Sequence, residues 1–164
     1  MDNRFAEPLT QLKEIANHSS STKAAVTQAL LQGCLDTLHI QRASLWLFAD
    51  DDLMSCQMLL DQQHGITEEA LMIDRWSFPN YFSALDSNEV VLAADAFHHP
   101  ATSELCEHFL RPMNIRSLLD VPIKQRNGIA GIICCEQTNT IKHWSLDEVE
   151  FVKAVCKLFG SSII

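Results

Sequence analysis

Apolar positions recur at two different periods along the chain. Residues 8–17, PLTQLKEIAN, carry them at helical spacing and predict a short amphipathic helix, which HSSS at 18–21 interrupts. The serines can cap a second helix over 22–39, where Val26, Ala29, Leu30, Cys34 and Leu38 form one apolar stripe. The period then shortens. Residues 43–48 and 54–60 read as strands, and the acidic tip Asp50-Asp51-Asp52 makes them a β-hairpin. Residues 61–77 are polar and irregular, with a break at Gly65. Residues 79–86 predict a short helix with proline in its first turn, and 89–93 a short strand. Thr102 or Ser103 can cap a helix through Leu110 that Pro112 ends. Two strands follow, 115–123 and 129–137, joined at KQRNG by an Asn-Gly turn. In the last helix Ser145 and Glu148 make a capping box, and Val149, Val152, Val155, Cys156, Phe159 and Ile163 form the apolar stripe.

Hairpins framed by terminal helices predict an α+β fold built on an antiparallel sheet. The terminal helices are expected on one face and the central segment, 61–114, on the other. There are no internal repeats and no dividing linker, so residues 1–21 read as an N-terminal helical extension and 22–164 as one domain.

Composition narrows the function classes. The 164 residues are 47% apolar and 20% charged, as in a globular domain, and no apolar run reaches membrane-span length. The N-terminus lacks a signal-peptide layout, which predicts a cytoplasmic protein with no membrane partner. Six cysteines without framework spacing, mostly in apolar runs, fit that compartment as reduced thiols. A net charge of −9 with 12 scattered basic residues argues against nucleic acid.

From Ile115 onward, IRSLLDVPI, the hairpin turn, GIAGIICCEQ and HWSLDEVEFVKAV resemble the C-terminal half of a GAF domain. Upstream, QRASLWLF resembles that family's first strand, and DAFHHPATSELCEHFLRPMNIRS its middle helix leading into the fourth strand. The similarity runs from about residue 22 to the end, and its specificity lies in the order of the motifs. GAF domains are sensor modules for small molecules or cofactors, attached to histidine kinases, diguanylate cyclases, phosphodiesterases or transcription activators. The resemblance implies a central antiparallel sheet of about six strands, with a ligand pocket on one face and a helical dimer face on the other. It further implies a non-enzymatic regulatory part of a bacterial signalling protein, such as a two-component or diguanylate cyclase system, with the output domain C-terminal. The open apolar stripe at 159–164 fits a coiled-coil continuation or a homodimer through the terminal helices.

Four kinds of special chemistry find no match in these residues. His98, His99, Cys106 and His108 crowd into eleven residues, yet on a helix Cys106 lies about 200° from Glu104 and His108. No CxxC or HxxxH occurs, and His18, His39, His64 and His143 lie elsewhere, so no metal is expected. Bilin-binding members of the family carry a cysteine followed by histidine, then an aromatic-Leu pair and Met-Gly-Val. Here Phe109-Leu110 and Met113-Asn114-Ile115 match, but Leu105 stands at the attachment position, Cys106 in the histidine's place and Asn114 in the glycine's, so covalent bilin is not expected. The cyclic-nucleotide signature is absent too: Asp147-Glu148 is present, but Trp144 precedes it by three and there is no Asn-Lys pair. The cysteine motifs of the free-methionine sulfoxide reductases are missing, Cys134 and Cys135 point to opposite faces of a strand, and neither GxSxG nor HExxH occurs.

Strand alternation divides the faces. A glycine inside a strand suggests close approach of a helix, so Gly131 is expected under the last helix, with Leu119, Val121, Ile133 and Cys135 on that face. Pro122 fits an edge or bulge, and Trp144 is expected to seal the core below the last helix. Leu118, Asp120, Ile132, Cys134 and Glu136 then face the pocket. Trp46, Trp76, Phe97, Phe109 and Arg116 are expected to complete it, with Cys106 in its wall. Arg116 is either an anion-binding fork or a structural ion-pair partner of Asp95 or Asp120. The ligand is an unidentified small molecule, and the cofactor, if any, is unknown. The other readings are a dimerisation module without ligand and, last, a GAF-fold enzyme.

Overall fold

The structure is a computed structural model that describes residues 2–67, 71–87 and 89–162. Helix α1 (Asn3–Asn17) starts earlier than Pro8 because Asp2 caps it and Phe5 is buried, its ring 5.7 Å from that of Phe151. Helix α2 (Lys23–Leu38) is capped by Thr22, whose Oγ1 accepts from the Ala25 N–H at 3.1 Å, and stops where His39 turns left-handed. The expected hairpin is β1 (Arg42–Asp50) and β2 (Leu53–Asp61). The stretch expected to be irregular holds two short strands, β3 (Gly65–Thr67) and β4 (Met72–Asp74), both paired to β2. Helix α3 (Pro79–Asp86), β5 (Val91–Ala93), β6 (Ile115–Gln125), β7 (Gly128–Thr138) and α4 (Leu146–Ser162) follow. The order β3-β2-β1-β7-β6-β5, with β4 beside β2, is antiparallel throughout.

The sheet separates two apolar cores. On one face α1, α2 and α4 pack against Ala43, Leu45, Leu119, Val121, Ile123, Ile133 and Cys135. On the other, α3 and the 103–110 segment cover Trp46, Leu118, Ile132 and Cys134. The alternation expected for β6 and β7 is therefore the one observed. The capping box of α4 is formed: Glu148 N–H donates to Ser145 Oγ at 3.2 Å, and Ser145 N–H donates to Glu148 Oε2 at 2.9 Å.

Four expectations are corrected. Residues 103–110 are not one α-helix but a 3₁₀ turn (Ser103–Leu105) followed by a π turn (Cys106–Leu110), closed by the Arg111 N–H donating to the Cys106 carbonyl at 2.8 Å. Leu105, Cys106 and Leu110 are the residues that these two turns bury. The neighbour that Gly131 admits is not the last helix but strand β1, since a Cβ there would sit 2.0 Å from the Trp46 carbonyl oxygen. The hairpin turn is Arg126-Asn127, and Gly128 resumes the strand with φ 137°, so it is not an Asn-Gly turn. The stripe of α4 is not an open dimer seam: Val155 and Phe159 are fully buried in this chain's own core, while Ile163 lies outside the described residues. Pro122 falls beyond the stretch of β6 that β5 pairs, where β6 is an edge. Trp144 packs half-buried against the helix-side core.

Candidate functional site

Register builds a polar row on the face away from the helices. Arg42 stands between Asp61 and Glu136, Ser44 between Leu59 and Cys134, and Asp120 continues the second row beside Cys134. Trp46 and Ile132 form the apolar row below. Above them lies Tyr81, positioned by Glu104, whose Oε1 accepts from the Tyr81 N–H at 2.6 Å and whose Oε2 accepts from Asn80 Nδ2 at 3.2 Å. With Pro79 opening the helix, that carboxylate caps α3 and aims the phenol at the sheet.

Between these surfaces is a cavity of about 50 Å³ lined by Trp46, Met54, Ile73, Tyr81, Leu105, Phe109, Leu110, Leu118, Asp120, Ile132, Cys134 and Glu136. Its walls are apolar and its sheet end is polar. The Tyr81 hydroxyl donates to Asp120 Oδ2, Cys134 Sγ donates to Glu136 Oε1 at 3.4 Å, and Trp46 Nε1 donates to Ser44 Oγ at 2.9 Å. Asp120 Oδ1 and Glu136 Oε2 are buried with no hydrogen-bond partner among the described residues. Arg42 Nε lies 3.5 Å from Asp61 Oδ2 and its Nη1 3.4 Å from Glu136 Oε2, so one guanidinium is flanked by two carboxylates.

Burial controls how these groups ionise. Desolvation pushes Asp120 up to about 7 and the Glu136 charge adds to it, against the adjacent Cys134 thiol and the hydrogen bond from Tyr81. Desolvation, then the Asp120 charge, pushes the Tyr81 phenol and the Cys134 thiol well above their usual ranges. Burial raises Asp61 as well, but hydrogen bonds from Gln63 and His64 and the Arg42 charge outweigh it and hold that carboxyl low.

Of the residues expected in the pocket, Trp46, Phe109, Leu118, Asp120, Cys134 and Glu136 line the cavity. Cys106 is buried nearby, but its Sγ donates to the Phe97 carbonyl at 3.4 Å, outside the cavity wall. Phe97 sits at the margin of that core between Arg111 and Arg116, each guanidinium 4.9 Å from its ring centroid. Arg116 is therefore not a cavity anchor, and neither ion pair expected of it forms: Asp95 bonds His98 Nδ1 at 2.9 Å and Asp120 bonds Tyr81. A register shift between Ile115 and Ser117 accompanies this displacement. Trp76 is 79% exposed, on a turn that Asp74 closes by accepting from the Ser77 N–H and hydroxyl, both at 2.8 Å. It does not belong to the site.

Arg42 and Tyr81 are not among the residues that the sequence pattern assigns to the site. Stepping back from Trp46 by twos along β1 reaches Ser44 and Arg42, so alternation carried a signal for the arginine. Nothing local marks Tyr81, the chain's one tyrosine.

Among the described residues no group of three or more His, Cys, Asp and Glu side chains is gathered as metal ligands would be. Nor do the residues fit a covalent bilin, because Cys106 faces the Phe97 carbonyl and lies outside the cavity wall.

The GAF domain model matches residues 24–163. Similar solved structures include the GAF domain of a phosphoenolpyruvate-protein phosphotransferase from Coxiella burnetii. It has a TM-score of 0.75 at 19% identity and covers 99% of this chain and 95% of that one. The GAF domain from the Acinetobacter phosphoenolpyruvate-protein phosphotransferase has a TM-score of 0.71 at 17% identity, covering 99% and 94%. The blue-light absorbing form of the Thermosynechococcus elongatus PixJ GAF domain has a TM-score of 0.66 at 16% identity, covering 92% and 83%. At such identities the likeness is one of fold. No curated protein shows significant similarity. With seven antiparallel strands among the described residues in that architecture and a family match over most of its length, the chain belongs to the GAF domain family, a sensory and regulatory fold.

Proposed function

We propose that this domain senses a small molecule in the sheet-face cavity and performs no chemistry on it. The observation that carries the reading is the cavity itself, apolar on its walls and polar at one end, as ligand sites commonly are. The buried Cys134 thiol is held protonated, and a thiol in that form is a poor nucleophile, which supports a binding role over a catalytic one. Strands β6 and β7 transmit the event. Leu118 and Asp120 touch the cavity while Leu119, Val121 and Ile123 touch the helix core, so a ligand that shifts β6 also shifts α4.

On this reading the domain is a cytoplasmic regulatory part of a bacterial signalling protein with a C-terminal output domain, and it pairs as a homodimer through the outer surfaces of its terminal helices. Among the described residues no helix is long and apolar enough to cross a membrane. The small size of the cavity favours a second reading, a dimerisation module whose pocket is filled by its own side chains.

One set of measurements separates the two: native mass spectrometry, an absorbance spectrum and a metabolite screen by melting temperature on the purified chain. The sensor reading expects a retained or stabilising small molecule. No bound species and no stabilising compound, together with a stable dimer in sedimentation, would overturn it in favour of the second.

A further inference from the structure

We propose that the cavity recognises its ligand through a protonated amine on a short apolar body, with the ammonium group seated against Asp120 and near Glu136. The proposal rests on the reading of this cavity as the ligand site and deepens it to a chemical class.

It follows from matching donors to acceptors among the lining side chains. The three that carry donors have used them: Trp46 Nε1 on Ser44 Oγ, the Tyr81 hydroxyl on Asp120 Oδ2, and Cys134 Sγ on Glu136 Oε1. An acceptor is left over. Asp120 is 2% exposed and lines the cavity, yet its Oδ1 has no hydrogen-bond partner among the described residues, whereas Glu136 Oε2 is ion-paired with Arg42 Nη1 at 3.4 Å. Buried polar atoms are rarely left unmatched, so an unpartnered carboxylate oxygen at a cavity wall points to a donor on whatever enters.

Charge points the same way. Arg42, the cation of this cluster, is already shared by Asp61 and Glu136, and an ionised Asp120 adds a third negative charge beside Glu136. An anionic head would meet that excess, and the guanidinium it would need is already set between two carboxylates. A neutral acceptor would find the wall's donors already engaged. An ammonium group supplies donors and the opposite charge together. Met54, Ile73, Leu105 and Ile132 suit an apolar body, and about 50 Å³ admits only a few non-hydrogen atoms.

The sign of the pH dependence distinguishes the classes. Ionisable groups facing Asp120 are Tyr81 from α3 and Cys134 and Glu136 from β7, with Arg42 of β1 behind Glu136. Strand β5 presents Val91, and the 103–110 turns present Leu105, Phe109 and Leu110, none of which titrates. Burial keeps Tyr81 and Cys134 protonated through neutrality, so the proton that moves near pH 7 is that of Asp120. An alkylamine stays charged throughout this range, as lysine does. It binds the ionised carboxylate, so its affinity rises with pH and levels off above 7; a ligand with an acceptor head prefers the protonated form and shows the reverse.

The test uses the whole chain titrated with propylammonium, propionate and 1-propanol, read by backbone amide chemical shifts. Propylammonium is expected to shift the Asp120 and Cys134 amides and to bind about tenfold more tightly at about pH 8 than at about pH 6, in proportion to the ionised fraction of Asp120. Asp120→Asn is expected to weaken it at least about tenfold and to flatten the profile. The parent's own pH profile stands as a test even if that variant misfolds. Tighter binding of propionate or propanol, or an ammonium affinity that rises as pH falls, would overturn the amine assignment alone. Failure of all three probes to perturb these amides would overturn the ligand-site reading with it.

Discussion

Asp120 concentrates the site's physics in one side chain. Its carboxyl is buried beside Glu136, and it ionises near 7 when folded but in the usual range near 4 when unfolded. The folded chain therefore holds an extra proton between about pH 4 and pH 7, and this residue's contribution to stability falls as pH rises through that window, then stays level. Asp74 and Asp95 have the opposite sign, because hydrogen bonds with Ser77 and His98 hold them low, so a profile of the parent alone mixes the two. The difference from Asp120→Asn isolates the term, since asparagine still accepts from Tyr81 but has no charge to desolvate. By denaturant titration the variant is expected to gain on the order of 2 kcal/mol relative to the parent between about pH 5 and about pH 8. Parallel profiles for the two proteins would mean that the carboxyl is solvated in both states.

At the scale of elements, the approach of β1 and β7 is the tightest packing that a single residue enforces. A Cβ on Gly131 would meet the Trp46 carbonyl oxygen at 2.0 Å and Leu47 Cα at 2.9 Å, and backbone cannot swing aside as a side chain can. Gly131→Ala is expected to destabilise the fold by roughly 1–3 kcal/mol, as overpacking does, seen as a lower denaturation midpoint. An unchanged midpoint would show that the two strands can part there. Such a contact illustrates what a chain's local pattern carries and what it does not. Elements whose signals lie within a few residues were legible: the Ser145–Glu148 capping box, the β1–β2 and β6–β7 hairpins, the proline-opened α3, and the alternation that put Asp120, Cys134 and Glu136 on one face. The glycine was legible as a close approach, but its partner was not, because β1 lies more than eighty positions away in sequence. Residues 103–110 kept helical spacing in outline, but the segment winds as a 3₁₀ turn and then a π turn, a distinction that apolar spacing does not carry. Tyr81 depends on a cap supplied by Glu104 across two segments, and Trp76 on a turn that faces it outward; neither direction is written in the neighbouring residues.

Across the whole molecule, the sheet is a shared wall. One side is the floor of the cavity and the other is the roof of the helical core, and β6 and β7 contribute alternate residues to both. The helix stripe that reads in isolation as an interface is consumed by this arrangement, since Val155 and Phe159 lie within the chain's own core. The proposed pairing through the terminal helices would therefore use their outer surfaces, since the inner ones pack on the sheet. On the proposed reading, the cavity is where a ligand acts on the fold. The most direct measurement compares ligand-induced stabilisation in the parent with that in Ile132→Phe, which fills the cavity from its floor at a cost of about 1–3 kcal/mol. A compound that raises the parent's melting temperature is expected to leave that of the folded variant unmoved. An undiminished rise in Ile132→Phe would place the ligand elsewhere and contradict the account.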